Sequence, residues 1–388
     1  MKMKYKSLSL LGSTGSIGRQ TLEILADIAP ETELEYLTCY NNIDLLEQQA
    51  AQYRPKRIVV GNEKLYADFK RTTRFTGEIL AGDEGIKAAA TCSADVVVSA
   101  LVGFAGIMPT YHAVKAGKIV ALSNKESLVA AGAVITALAK ETGAKLLPVD
   151  SEHSAVLQSL VGEQKENIEK IILTASGGPF RNLPAEKFEN ITVEQALNHP
   201  NWSMGNKITV DSATMMNKGF EIIEAMWLFD VPPEKIDVLI HPESIIHSMV
   251  QYSDGAVKAQ LGLPDMRLPI CYALTYPERT LTHLQRLDLS EIAILTFSKP
   301  DRRKFKCLDL AQRAMQHGGN AGAVLNAAND IAVRAFLDRK INFTDIPDIV
   351  DEALNTISFI PHPSINDVIL TIGETKIFLK QMKKLENK

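Results

Sequence analysis

LSLLGSTGSIGRQTLEIL, residues 8–25, passes from a short apolar run through three glycines into a stretch whose apolar residues fall at helical spacing. Strand, tight turn, helix is the order in which Gly12, Gly15 and Gly18 would let a backbone approach a pyrophosphate at a helix N-terminus. The spacing is GxxGxxG, and a tight strand-to-helix turn without a ligand would use the same glycines. Outward from this loop, KSLSLLG (6–12), ELEYLTCY (33–40), PKRIVVG (55–61), ADVVVSALVG (94–103), GKIVALS (117–123) and AKLLPVD (144–150) are strand candidates. GRQTLEILADIA (18–29), LLEQQAAQY (45–53) and SLVAAGAVITALAKET (127–142) carry helical spacing between several of them.

That alternation predicts an α/β fold whose N-terminal domain, residues 1–150, is a Rossmann-like doubly wound parallel sheet. The second strand ends Cys39-Tyr40-Asn41-Asn42, with no carboxylate to read a ribose 2′-hydroxyl. This favours NADP over NAD, although no Arg or Lys stands there to select it. Residues 151–290 read as an α+β catalytic domain: a strand in KIILTASGG (170–178), a polar loop, a long helix, and two alternating runs about an Asp254-Gly255 turn that form a hairpin. A linker over 291–311, around FSKPDRRKFK, leads to a C-terminal helical bundle over 312–388.

Composition removes several function classes. The chain has 388 residues, 46% hydrophobic and 23% charged, which suits two or three domains with cores of their own. A net charge of −4, with acids and bases interspersed, offers no basic face for nucleic acid. Cys39, Cys92, Cys271 and Cys307 are far apart and form no CxxC pair, which points away from disulfides and zinc and towards the cytoplasm. The apolar start breaks at Gly12 with no small-residue cleavage site, so no signal peptide is expected. The longest apolar run, Leu128 to Ala139, is short of the roughly 20 residues of a membrane span.

Two stretches concentrate charge. In LLPVDSEHSAVLQ (146–158), Asp150 and Glu152 follow a strand, and in extended chain they would share a face at its carboxyl end. Two carboxylates at roughly 6 Å repel by about 3 kcal/mol at a dielectric of 20, so they need solvent, a shared proton or a cation. A solvated loop with a helix cap from Ser151 is the plainer alternative. In LNHPNWSMGNKITVDSATMMNKGFEIIEAMW (197–227), Asp211 or Ser212 is a natural N-cap, and Met216, Phe220, Ile223 and Trp227 form a core face. Asn217, Lys218, Glu221 and Glu224 lie on the other face, with Lys218 and Asn217 within a turn of Glu221, as in an ordinary surface ion pair. Glu221 nevertheless adds a third carboxylate to Asp150 and Glu152, and three oxygen donors without cysteine suit Mg²⁺ or Mn²⁺. Ser176 in TASGGPF (174–180) could donate to a phosphate, or mark a plain turn. Residues 196–206, with His199, Trp202 and Gly205, read as a lid that closes over a ligand. His153 and His247 read as ordinary hydrogen-bonding histidines.

Taken in order, GSTGSIG (12–18), LSNKESLVAAG (122–132), PVDSEHSAV (148–156), SGGPF (176–180), NHPNWSMGNKITVDSATMMNKGFEIIEA (198–225) and HPESIIHSMV (241–250) resemble the 1-deoxy-D-xylulose 5-phosphate reductoisomerase family. The resemblance implies an NADPH- and divalent-metal-dependent oxidoreductase, usually a homodimer, that isomerises and reduces a sugar phosphate to 2-C-methyl-D-erythritol 4-phosphate in the non-mevalonate isoprenoid pathway. It implies metal ligands at Asp150, Glu152 and Glu221, and substrate contacts at Lys125, Ser151, Ser176, His199, Trp202, Ser212, Asn217 and Lys218. Among these, Lys125, Glu152, His199, Lys218 and Glu221 would carry the chemistry. Nucleotide contacts would fall on Thr14, Gly15, Ser16, Ile17, Tyr40, Asn41, Asn42, Asn124, Glu126 and Gly205. One departure stands out: relatives commonly have Gly-Lys before the asparagine, and this chain has Tyr40-Asn41.

Two other readings share parts of this pattern. A metal-free NADP-dependent dehydrogenase of a semialdehyde or polyol phosphate would keep the nucleotide domain without needing the three carboxylates. A nucleotide-binding redox sensor would carry a basic recognition helix or an interaction tail, and the sequence shows neither.

Overall fold

The computed structural model describes residues 5–382 except 201, 203 and 204. Its contacts divide the chain into two compact units. One comprises residues up to 127, 135–154 and 265–285; the other comprises 128–134, 155–264 and 286 onward.

The first unit is built on seven parallel strands: β1 (Ser7–Leu11), β2 (Glu33–Cys39), β3 (Arg57–Val60), β4 (Glu78–Ala81), β5 (Val96–Ser99), β6 (Ile119–Leu122) and β7 (Lys145–Pro148). Their order is β4-β3-β2-β1-β5-β6-β7. The strands are short, and the central ones are largely buried, with β5 (VVVS) and β6 (IVAL) rich in β-branched residues, as strands covered by helices on both faces must be. The chain winds outward from β1 in one direction through β2 to β4 and in the other through β5 to β7. β1 therefore borders a topological switch point, the place where such sheets bind ligands at their carboxyl ends. The doubly wound expectation holds. β4 escaped the sequence reading because GEILAG offers only four strand residues and ends at a helix.

The second unit holds a four-stranded sheet of order β11-β10-β8-β9, formed by β8 (Ile168–Ala175), β9 (Ile236–Ile240), β10 (Ile246–Tyr252) and β11 (Val257–Leu261). The hairpin about Asp254-Gly255 is β10 and β11, paired antiparallel. β8 and β9 run parallel, so both deliver their carboxyl ends to the same edge. From residue 306 onward the described chain is helical, in Lys306–His317, Ala321–Leu337, Asp345–Thr356 and Ile365–Lys380. The first of these helices runs through residues 311 and 312, where the sequence reading placed the end of a linker. Phe180, Phe188, Phe305, Phe336 and Phe343 join this helical part to the sheet, with ring centroids 5.4–6.1 Å apart in edge-to-face pairs. Such pairs each contribute about 0.5–1.5 kcal/mol beyond burial.

Two local expectations are corrected. Glu152 does not continue an extended chain, because a helix runs over Ser151–Leu160 and Asp150 Oδ1 accepts the backbone N–H of Glu152 at 3.2 Å. Asp-Ser-Glu is a helix start, and its local hydrogen bond outcompetes the alternation inherited from β7. Nor do Asp211 or Ser212 cap the long helix. They sit inside Asn206–Ala213, whose N-cap is Gly205, and Met215 in the left-handed region (φ 64°) separates it from Met216–Phe229. Met216, Phe220 and Ile223 are buried as expected, and Trp227 is half-buried. Among the described residues no helix is long and apolar enough to cross a membrane. Residues 201, 203 and 204 of the expected 196–206 lid lie outside the described residues.

Candidate active site

The carboxyl end of β1 in the first unit is shaped by backbone. Gly12 turns out of β1 with φ +86°, where a Cβ would stand 2.7 Å from the Ala100 carbonyl oxygen. A Cβ on Gly18 would lie 2.2 Å from the Gly12 carbonyl oxygen. Both positions therefore exclude a side chain. Thr38 Oγ1 accepts the Gly12 N–H at 2.8 Å, and Ser13 and Gln49 exchange bonds at 2.7 and 2.9 Å, which fixes the loop to the start of the sheet. The helix Ser16–Ile28 begins at Gly15 without a side-chain cap. Thr14 and Ile17 are half-buried while Gly15 and Ser16 are exposed, so the first turn presents backbone N–H groups, the usual means of holding a phosphate. These residues fit a dinucleotide.

Three further segments meet the carboxyl edge of this sheet. β2 ends beside exposed Tyr40, Asn41 and Asn42, and Asn42 caps the next helix through a 3.2 Å bond from Leu45 N–H. After β6, buried Asn124 caps Lys125–Thr142, donates to the carbonyls of Leu101 and Gly103 at 2.9 Å, and also donates to Glu126 Oε2 at 2.9 Å. After β7 come the acids. Lys125 Nζ lies 3.1 Å from Asp150 Oδ2, and His153 Nδ1 lies 3.4 Å from Asp150 Oδ1. Ser151 Oγ donates to Glu152 Oε2 at 2.6 Å. Two carboxylates at the start of a helix gain from its dipole, and the Lys125 ammonium offsets part of their repulsion.

The second unit collects the other charged positions. Ser176 follows β8, in a turn with Gly177 at φ +79° and Gly178 at φ +66°. A Cβ on Gly178 would meet the Ser212 carbonyl oxygen at 2.7 Å, so this turn and the end of Asn206–Ala213 are in close contact and bring Ser176 near Ser212. Ser176 Oγ is 3.1 Å from His199 Nε2, and His199 Nδ1 accepts the Trp202 backbone N–H at 3.0 Å. Nδ1 is therefore the bare nitrogen and Nε2 carries the proton towards Ser176. Burial, then the charge of Arg181, holds His199 below the usual histidine range, in keeping with a neutral ring. On Met216–Phe229, Asn217 Nδ2 donates to Glu221 Oε1 at 2.5 Å, and Lys218 Nζ pairs with Glu221 Oε2. The Lys218 and Glu221 side chains are 4% and 1% exposed, so the surface ion-pair alternative fails.

The sequence reading passed over two arrangements in this unit. Asp211, 2% exposed, pairs with Lys207 at 2.8 Å and accepts from Asn329 Nδ2 at 2.7 Å, tying the helix that carries Ser212 to Ala321–Leu337. The Lys207-to-Asp211 spacing of four was the available signal. His241 follows β9, directly beside the Ser176 turn: its backbone N–H donates to the Ala175 carbonyl at 2.7 Å. Its Nε2 accepts the N–H groups of Ile245 and Ile246 at 3.2 and 3.1 Å, while Nδ1 faces the Thr296 carbonyl at 3.0 Å. The buried ring thus holds the turn in which Ser244 takes φ +54°.

Comparison with known proteins gives this arrangement its family. Family models of the 1-deoxy-D-xylulose 5-phosphate reductoisomerase match residues 8–132 and, as C-terminal domains, residues 146–229 and 261–377. The reductoisomerase of Chloroherpeton thalassium is 50% identical over 96% of this chain and 97% of its own length. The chain belongs to the 1-deoxy-D-xylulose 5-phosphate reductoisomerase family. The reductoisomerase of Chlorobaculum tepidum is 55% identical over 90% of this chain and 92% of its own. Among solved reductoisomerases, that of Zymomonas mobilis in complex with NADPH has a TM-score of 0.91 and 41% identity, covering 97% of this chain and all of the other. Another, in complex with NADPH, fosmidomycin and magnesium, has a TM-score of 0.93 and 40% identity, covering 98% of each.

Proposed function

We propose that this chain converts 1-deoxy-D-xylulose 5-phosphate to 2-C-methyl-D-erythritol 4-phosphate, using NADPH and a divalent ion, Mg²⁺ or Mn²⁺. The observation that carries the reading is likeness over nearly the whole chain to a reductoisomerase solved with NADPH, fosmidomycin and magnesium. The donor chemistry supports it: Asp150, Glu152 and Glu221 each offer a carboxylate oxygen, the ligand type of a hard cation.

When bound, the ion supplies Lewis-acid polarisation of the substrate's ketone and hydroxyl oxygens, and the nicotinamide supplies hydride. The remaining work falls to side chains. Asp150, Glu152 and Glu221 hold the ion, with Glu221 oriented by Asn217 and Lys218. Lys125 neutralises Asp150, and Lys125 and Glu152 handle protons at substrate oxygens, where Ser151 donates. Ser176, Ser212, Asn217 and Lys218 grip the phosphate, remote from the reacting carbons, so that binding energy goes into orientation. Neutral His199 donates through Nε2, and Trp202 excludes water. Thr14 to Ile17, Tyr40 to Asn42, Asn124, Glu126 and Gly205 hold the nucleotide. In this reading residues 1–150 serve NADPH, 151–290 serve catalysis and 312–388 form a helical support.

A homodimer is part of the proposal, supported by the exposed residues of β11 at the edge of its sheet, where a second copy could pair. Free thiols at Cys39, Cys92, Cys271 and Cys307 support a cytoplasmic setting. The test is loss of NADPH absorbance on adding the substrate, with EDTA and then with Mg²⁺ or Mn²⁺ restored. Oxidation that requires the ion supports the proposal. Full activity in EDTA would instead indicate a metal-free dehydrogenase.

A further inference from the structure

β2 ends at the position where an acid would accept a bond from the ribose 2′-hydroxyl of a bound dinucleotide. Cys39-Tyr40-Asn41-Asn42 contains no acid, and also no Lys or Arg to attract a 2′-phosphate. These four residues carry no charge and so give no electrostatic preference for either nucleotide, which leaves their hydrogen bonds to supply one.

Asn62 opens the helix Glu63–Thr72, and its Oδ1 accepts the Lys64 backbone N–H at 3.1 Å. A backbone N–H bonds the oxygen of an amide and not its NH₂, so this contact fixes which way Asn62 is turned. The Nδ2 of Asn62 must then donate, and its acceptor is Asn41 Oδ1 at 2.8 Å. Asn41 is oriented in turn. Its oxygen already carries a donor, and its two N–H groups, on an exposed residue, are the end left for a ligand. Asn42 is set the same way, with its Oδ1 taken by the Leu45 N–H. Two neighbouring amides thus turn N–H groups outward at the strand end. An ionised phosphate offers only acceptors and satisfies them with charge-assisted bonds; a 2′-hydroxyl also needs an acceptor for its proton.

We infer that the hydrogen bond from Asn62 makes Asn41 a fixed N–H donor for the 2′-phosphate of NADPH, so that this chain selects NADPH over NADH without a cation at the end of β2. The inference rests on the proposed nucleotide site and adds Asn62 to it as a positioning residue.

Calorimetric titration of the full chain with 2′,5′-ADP and with 5′-AMP tests it without turnover. The chain should bind 2′,5′-ADP more tightly. Asn62→Ser keeps a hydroxyl to cap Lys64 but removes the donor to Asn41, and should weaken 2′,5′-ADP several-fold while leaving 5′-AMP unchanged. Asn41→Ala leaves the helix cap alone and should weaken 2′,5′-ADP by about tenfold. Asn41→Asp should reverse the preference. Equal affinity for the two nucleotides, an unchanged ratio in Asn62→Ser, or an equal loss for both ligands would overturn the inference while leaving the nucleotide site standing. If neither nucleotide binds at all, the nucleotide site itself is wrong and the inference falls with it.

Discussion

The glycine loop of the first unit and the Ser212-to-Glu221 region of the second would, in the proposed function, serve ligands by opposite means. At Gly12 and Gly18 the chain has removed side chains, and what remains for a ligand is backbone at an uncapped helix start. At Asn217, Lys218 and Glu221 it has buried charge and satisfied it internally, which in the proposed function aims a carboxylate before any ion arrives. The first device tolerates almost no added volume. The second tolerates almost no change in charge.

The largest expected effect therefore lies in the second region. Glu221→Gln keeps the shape but loses the charge that an ion requires, and turns one of the two accepting oxygens into a donor. Turnover should fall by about a hundredfold or more, beyond the 10–100-fold typical of residues that only support a ligand. NADPH binding, measured by fluorescence titration, should survive. Next comes Lys218→Met, which leaves Glu221 buried without its cation. Breaking a buried pair costs about 3–5 kcal/mol, readable as a lowered denaturation midpoint in urea. Added Mn²⁺ should recover part of that loss, which would separate an ion-binding carboxylate from a merely structural pair.

Gly18→Ala tests the other region. Its new Cβ would press on the Gly12 carbonyl and the Ser13 Cα, at 2.2 and 2.6 Å, and overpacking of this kind costs about 1–3 kcal/mol. NADPH affinity should drop while Mn²⁺ binding stays; a variant that loses both together would break the contrast between the regions.

The smallest effect is one of pH. Because burial holds His199 below its ordinary value of 6.5, its neutral form contributes stability that is complete above that value and is lost as pH falls through the lowered folded value. Protonation puts a hydrogen on Nδ1 and removes the acceptor of the Trp202 N–H. In a Trp227→Phe background, where Trp202 is the only indole, its emission should shift on acidification below pH 6 and should not shift in His199→Phe.

The two regions also differ in how plainly they could be read from sequence. Backbone devices leave compositional marks: three glycines after an apolar run, and alternating strands and helices, were enough to place β1 and the doubly wound sheet. Charges were visible as residues, but their surroundings were not. Lys218 and Glu221 look like any solvent-exposed helix pair, and only the packing around them shows that both are buried. Asp150 and Glu152 were misread as extended chain because alternation in β7 runs straight into a helix start, and Asp211 was taken for a cap although its partner, Asn329, lies more than a hundred residues away. β4 and β9 were missed because four- and five-residue strands carry little periodicity. Asn62 gave no sign at all, since its role depends on which end of an amide another backbone occupies.

Anomalous diffraction at the manganese edge, from crystals grown with NADPH and Mn²⁺, puts the shared-ion claim to its most direct test. A single strong peak within bonding distance of Asp150, Glu152 and Glu221, lost in Glu221→Gln, is the predicted result. A fully occupied ion bound without Glu221, or one that persists unchanged in the variant, would contradict it.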